Sequence, residues 1–157
     1  EVIVVEFIDF KCPNTLKEEP ILKRVLAKYG SKMKLIVRDF PAESIHPGAN
    51  QLALIGSCAY QQGLYWPMHN WFFANHADLP EKMTDDDILN VAEKVGADAG
   101  KLADCMKKNI TGTEVNHDYA DGIRFGVQGT PTFFINGKHF EGAIPFEVWE
   151  NFFKKIK

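Results

Sequence analysis

Apolar residues recur along this chain in two rhythms, one of strands and one of helices, and the rhythm changes at identifiable residues. Residues 2–10, VIVVEFIDF, form a nearly continuous run rich in Val, Ile and Phe, as expected of a strand buried on both faces. Glu6 is the anomaly within it. From Pro13, well placed at a first helical position, the period becomes helical through Leu16, Ile21, Leu22, Val25, Leu26 and Tyr29, with Gly30 as the stop and a kink expected at Pro20. Residues 33–40 read as a second strand, parallel to the first because a helix makes the crossover. Beyond Pro41 and Pro47 the pattern stays helical for about 75 residues. Its pieces are 48–62 ending at Gly63, 64–75, a helix capped by Thr84 with Asp87 three residues on and closing at Gly96, and 99–108. A helix over 113–125, stopped by Gly126, leads back to a strand at Thr132-Phe133-Phe134-Ile135. Asn136-Gly137 is a strong hairpin signal, 138–141 is the antiparallel return, and a last helix after Pro145 carries Phe146, Trp149, Phe152 and Phe153.

The order βαβ, helices, αββα predicts an α/β fold with a central mixed sheet flanked by helices, built from 1–40 and 113–157, and an all-helical insertion over 41–112. A length of 157 residues with 45% hydrophobic and 25% charged positions suits a soluble globular domain with such an insertion. The net charge of -3 and a pI near 6.0 give no reason to expect nucleic acid or an anionic membrane as partner. No apolar run is long enough to span a bilayer. The chain opens at Glu1 directly into a strand, and the expectation is a mature or trimmed chain whose targeting segment has been removed.

Candidate chemistry centres on Cys12-Pro13-Asn14-Thr15. A strand that delivers Cys12 to the first turn of a helix places its sulfur where unpaired N–H groups and the helix dipole stabilise a thiolate. A CxxC motif would have a second cysteine where this chain has Thr15. The cysteines, Cys12, Cys58 and Cys105, are odd in number, which in a secreted protein suggests one disulfide and one thiol left over. His46, His69, His76, His117 and His139 make no metal-ligand spacing with them, so neither a metal nor a cofactor is expected. His69 reads as a core histidine and His46 as a neighbour of the catalytic face. Trp66, Trp71, Phe72 and Phe73 read as core of the insertion, and Asn109-Ile110-Thr111 matches a glycosylation sequon.

Several segments carry a resemblance across essentially the whole chain: Glu6-Phe7-Ile8-Asp9-Phe10-Lys11-Cys12-Pro13, His46-Pro47, Cys58-Ala59-Tyr60-Gln61-Gln62-Gly63, Trp66-Pro67-Met68-His69, and the run from Gly126 to Gly137 containing Gly129-Thr130-Pro131-Thr132. Together they resemble the DsbA-type thiol-disulfide oxidoreductases, a thioredoxin fold interrupted by a helical subdomain. The resemblance implies a nucleophilic Cys12 and a cis Pro131 facing it. Thr130 would offer its backbone to an extended substrate, with Pro13 and Asn14 flanking the same surface. Glu6, six residues before the thiol, would move protons for it. It further implies a periplasmic or extracytoplasmic setting, protein substrates with cysteines, and a thiol or membrane redox partner. Thr15 departs from the pattern, and its hydroxyl could instead donate a hydrogen bond to the Cys12 sulfur.

By the same resemblance Cys58 and Cys105 are favoured as a structural bridge, the rivals being two buried thiols or a resolving role for Cys58. The function implied is a monothiol disulfide oxidoreductase or isomerase whose mixed disulfides need an external thiol. The alternative is a redox-inactive peptide-binding or chaperone-like module on the same fold. A third reading, Thr15 as an engineered replacement that traps mixed disulfides, ranks last.

Overall fold

The computed structural model describes residues 1–156. Four strands, β1 (Val2–Ile8), β2 (Met33–Asp39), β3 (Thr132–Ile135) and β4 (Lys138–Glu141), form one mixed sheet in the order β2-β1-β3-β4. β1 and β2 are parallel and joined by helix α1 (Pro13–Tyr29), whereas β3 runs antiparallel to both β1 and β4. Between β2 and β3 lie α2 (Ala49–Tyr60), α3 (Tyr65–Ala74), α4 (Asp85–Val95), α5 (Ala99–Lys107) and α6 (Gly112–Arg124), and α7 (Phe146–Lys154) ends the fold. The β3–β4 turn places Asn136 at φ 48° and Gly137 at φ 81°, the left-handed pair that a two-residue hairpin of this hand requires. The Asn136 side chain also accepts from the Ile3 N–H, tying the hairpin to β1. At α4, Thr84 and Asp87 form the reciprocal cap expected of them.

One expectation changes. β1 stops at Ile8 and is not buried on both faces throughout, since Ile3 is 43% exposed. The strand ends because Asp9 starts a turn: its carbonyl accepts from the Cys12 N–H and its carboxylate from the Lys11 N–H. α1 runs unbroken through Pro20.

Three packed clusters position the thiol. On one face, Val2, Val4, Phe133 and Ile135 of the sheet meet Leu22 and Val25 of α1 and Trp149 and Phe153 of α7. On the other, Phe7, Phe40 and Val127 pack beneath α6, where a Cβ at Gly122 would come within 2.5 Å of the Phe40 ring. In the third, Ile8 and Phe10 leave the end of β1 and enter the helical core beside Leu52, Ile55, Met68, Phe72 and Leu102. Phe10 lies 5.0 Å from Phe72 between ring centroids. Burying such a ring is worth roughly 2–3 kcal/mol, which anchors the loop two residues before Cys12. Cys58 of α2 and Cys105 of α5 are joined by a disulfide that closes a 47-residue separation, worth roughly 4 kcal/mol in the chain-entropy model. Thr111 of the sequon is buried, its hydroxyl 3.6 Å from the Cys58 sulfur.

Candidate active site

Cys12 is the N-cap of α1, in extended conformation, with Pro13 immediately inside the helix. Proline fits there because the first helical N–H has no intrahelical acceptor. The preceding turn is held by Asp9, a buried residue that sequence reasoning passed over. Its Oδ1 accepts from the Lys11 N–H at 2.8 Å, and its Oδ2 meets the Ala42 N–H at 3.0 Å and His46 Nδ1 at 2.7 Å. His46 therefore braces the loop that carries the thiol, through Asp9. The legible signal was an Asp two residues before Lys11, at the end of a strand, since Asp side chains bond their own backbone two residues on.

Cys12 is a free cysteine and is 6% exposed. Its Sγ donates to the Thr130 carbonyl at 3.3 Å, across 118 residues of sequence. The Thr130–Pro131 peptide bond is cis. This loop is held by the Thr132 hydroxyl donating to the Gly129 carbonyl at 2.7 Å and by the Gly142 N–H donating to the Pro131 carbonyl at 2.8 Å. Pro13 and Asn14 are exposed beside the sulfur. Cys12, Pro13, Asn14, Thr130 and Pro131 thus stand together, while Cys58 and Cys105 are bonded to each other within the helical core, which removes the resolving role considered for Cys58.

Thr15 is fully buried, and its hydroxyl has no hydrogen-bond partner among the described residues. The expected bond from Thr15 to the Cys12 sulfur is not made. Thr15 lies on the inward stripe of α1 with Glu18, Glu19 and Leu22, whereas the Cys12 sulfur is engaged by Thr130.

Acidic side chains are buried between α1 and β1. Glu6 is fully buried, and neither carboxyl oxygen has a partner among the described residues. Burial, then the charges of Glu19 and Glu18, push its pKa well above the usual carboxylate range. Glu6 lines a cavity of about 170 Å³ with Glu19, Trp66, His69 and Asn70. His69 is buried, as expected, with Nε2 at 3.3 Å from a Glu19 oxygen and Nδ1 at 3.1 Å from Asn70 Oδ1. Trp66 departs from the expected core position and is 45% exposed. Glu18, also missed from sequence, accepts from the Ile144 N–H at 2.7 Å and from Trp149 Nε1 at 3.0 Å. Burial raises its pKa to about 7, with these two bonds working against the shift. Among the described residues no cluster of His, Cys, Asp or Glu side chains is arranged to hold a metal ion.

A family model described as thioredoxin matches residues 1–155. The chain belongs to the thioredoxin family. The fold is that of the DsbA-like thiol-disulfide oxidoreductases within it. It superposes on the thiol-disulfide exchange protein alpha-DsbA2 from Wolbachia pipientis with a TM-score of 0.84 at 22% identity, covering 100% of this chain and 82% of that one. BdbD from Bacillus subtilis gives a TM-score of 0.84 at 20% identity, covering 98% and 86%. In sequence, the chain is 30% identical over 147 residues to a protein of Salinispora tropica named Na(+)/H(+) antiporter NhaA 3. That match takes in 94% of this chain and only 22% of the relative, so the chain spans about a fifth of the length of the protein it matches.

Proposed function

We propose that this protein is a thiol-disulfide oxidoreductase or isomerase acting on protein disulfides through Cys12 alone. The observation that carries the reading is the Cys12 sulfur at a helix N-terminus, 3.3 Å from the Thr130 carbonyl, with Thr15 in place of a second cysteine. In the forward step the Cys12 thiolate attacks one sulfur of a substrate disulfide. A Cys12–substrate disulfide forms, the substrate's S–S bond breaks, and the second substrate sulfur leaves as a thiolate. An external thiolate then attacks the substrate sulfur of the mixed disulfide, releasing Cys12 as thiolate and forming a substrate–external disulfide. A second external thiol that cleaves this bond completes a net reduction at the expense of two thiols joined as their own disulfide. A substrate thiolate can resolve the intermediate instead, which isomerises the substrate with no net redox change.

Helix α1 supports the thiolate through its unpaired N–H groups and dipole. Thr130 and Pro131, with Pro13 and Asn14 on the opposite side of the sulfur, would seat an extended substrate segment, its backbone pairing along the loop. Glu6, whose pKa burial raises well above the usual carboxylate range, is the proposed store for protons passing to and from the thiol. We assign the sheet with 1–40 and 113–157 to the thiol-exchange unit and 41–112 to its helical insertion. The Cys58–Cys105 bond favours an oxidising, extracytoplasmic compartment, with cysteine-containing proteins as substrates and a thiol or membrane redox partner. Ion transport is not proposed for this segment, since no described helix is long and apolar enough to cross a membrane.

The test is incubation with a disulfide-bonded peptide at pH 7, acid quenching, and mass spectrometry. The expected product is a mixed disulfide at Cys12 that a small thiol releases and that Cys12→Ser abolishes. A second variant, Thr15→Cys, should convert the accumulating mixed disulfide into an internal 12–15 disulfide. A Cys12 that stays unmodified while the protein still binds unfolded peptide would reject the enzyme in favour of the redox-inactive binding module.

A further inference from the structure

The outer edge of β2 borders a cleft that the thiol chemistry does not use. It has a volume of about 570 Å³ and lies between β2, the α2–α3 turn and α6, a size within the usual range for small-ligand sites. Its lining combines three carboxyl groups, Asp39, Glu114 and Asp118, with three aromatic rings, Tyr60, Tyr65 and Trp66, and includes no Lys or Arg among the described residues.

The charges in this cleft are unequally satisfied. Asp118 is paired with Arg38, which also reaches Asp121 at 2.8 Å, and its second oxygen accepts from the Asp39 N–H at 3.0 Å. Asp39 and Glu114 make no ion pair among the described residues. The Tyr65 hydroxyl is buried and has no hydrogen-bond partner there, although a buried phenol normally finds one. Of the carboxyl groups around it, Asp39 acts on it most strongly. Tyr60 and Trp66 are 68% and 45% exposed, leaving ring faces uncovered at the rim.

We propose that this cleft binds an organic cation, an alkylammonium or guanidinium group, with Asp39 and Glu114 as counter-charges and Tyr60 and Trp66 as ring faces. The mixture of donors decides the ligand class. The ring faces favour a soft, N–H-bearing cation over a metal ion, and the carboxyl groups disfavour an anion. The state of Asp39 agrees: burial first, then the charge of Asp118, raise its pKa to about 8, with Arg38 offsetting part and Asp9 adding to it. A cation entering the cleft would favour the carboxylate and release a proton. The groups facing Asp39 in that titration are Asp118 of α6, Arg38 of β2, Asp9 after β1 and Tyr65 of α3.

The test is calorimetric titration of the full chain at fixed ionic strength with n-butylammonium. An acetylated, amidated Ala-Lys-Ala peptide is the second arm, and sodium chloride and 1-butanol are the controls. Saturable one-to-one binding of butylammonium with both controls inert is the expected result, and the two arms distinguish a free amine from a lysine within a polypeptide. Titration in two buffers of different ionisation heat at pH 7 should reveal proton release that fades above pH 9. Asp39→Asn should weaken binding by about tenfold, as loss of a charge-assisted hydrogen bond does. Glu114→Gln, at an exposed position, gives a severalfold loss should Asp39→Asn fail to fold. Absence of saturable binding, equal binding of 1-butanol, or unchanged binding in a folded variant would overturn the proposal. None of these outcomes depends on Cys12.

Discussion

Two buried carboxyl groups flank the contact between α1 and the sheet, and the fold surrounds them in opposite ways. Glu18 and Glu6 are both 0% exposed. Glu18 takes a backbone N–H from Ile144 and the indole N–H of Trp149, so it ties α1 to the segment leading into α7. Glu6, at the middle of β1, takes nothing and lies against a cavity shared with Glu19 and His69. Burial raises both pKa values, but the two hydrogen bonds hold Glu18 to about 7 while nothing opposes the rise at Glu6. A buried acid with its acceptors filled is a clamp, and its removal is a stability event. One with empty acceptors is costly to the fold as a charge, which favours its protonated form. The proposed role of Glu6 as a proton store for Cys12 would account for that cost.

The largest expected effect comes from breaking the clamp. Glu18→Ala strands two buried donors and should cost about 3 kcal/mol of unfolding free energy, read by urea denaturation at pH 6. The rate of Cys12 alkylation in the folded protein should be unchanged. A variant that keeps its stability but alters thiol reactivity would exchange the roles assigned to the two acids.

The next effect is a pH dependence with a definite sign. Where a carboxyl's folded pKa lies above its unfolded value near 4.3, the folded state binds more protons between the two, so stability falls as pH rises through that window. Glu6, Glu18 up to about 7 and Asp39 up to about 8 all act in this direction. The protein should therefore be most stable in mildly acidic solution and lose stability toward pH 8. Glu6→Gln removes one such group. It should match the parent near pH 4 and exceed it by on the order of 1–2 kcal/mol at pH 8, in denaturant melts at both pH values. The same variant should change the pH–rate profile of mixed-disulfide formation at Cys12. If stability shifts as expected and that profile does not, Glu6 is a burdened core residue and not a proton store.

The rhythm of apolar residues made the sheet, the hairpin and the caps legible, because each depends on neighbours close in sequence. Asn136-Gly137 and Thr84 with Asp87 carry their conformations almost alone. The thiol was legible for the same reason, from Pro13 at a helix start, whereas the proline facing it rested on the resemblance carried by Gly129-Thr130-Pro131-Thr132. The acids of α1 were not, although their positions were in plain view: Thr15, Glu18, Glu19, Leu22, Val25 and Tyr29 form one inward stripe at helical spacing. Reading only apolar residues traced the helix through Leu16 and Ile21, which lie off that stripe, and met the stripe itself only at Leu22, about two turns after Thr15. Asp9 with His46 escaped because their bond joins loops 37 residues apart, and no periodicity reports it. Trp66 was assigned to the core by its neighbours Phe72 and Phe73, but it stands at the first turn of α3, where the helix emerges to line two cavities.

Thr15 adds an uncharged third member to the comparison, unpartnered like Glu6 and on the same helix stripe as Glu18. If lack of a partner alone were the functional mark, replacing Thr15 should disturb the thiol as replacing Glu6 is expected to. The geometry argues otherwise, because the Thr15 hydroxyl does not reach the Cys12 sulfur and has no proton to lose near neutral pH. Thr15→Val should thus gain up to about 1 kcal/mol by removing an unsatisfied buried hydroxyl. Its alkylation rate at Cys12 should equal the parent's between pH 5 and 8 on parallel iodoacetamide time courses. A slower thiol in Thr15→Val, with stability unchanged or lower, would mean that the hydroxyl does engage the sulfur once it ionises. The boundary between clamp and proton store would then include Thr15 with Glu6.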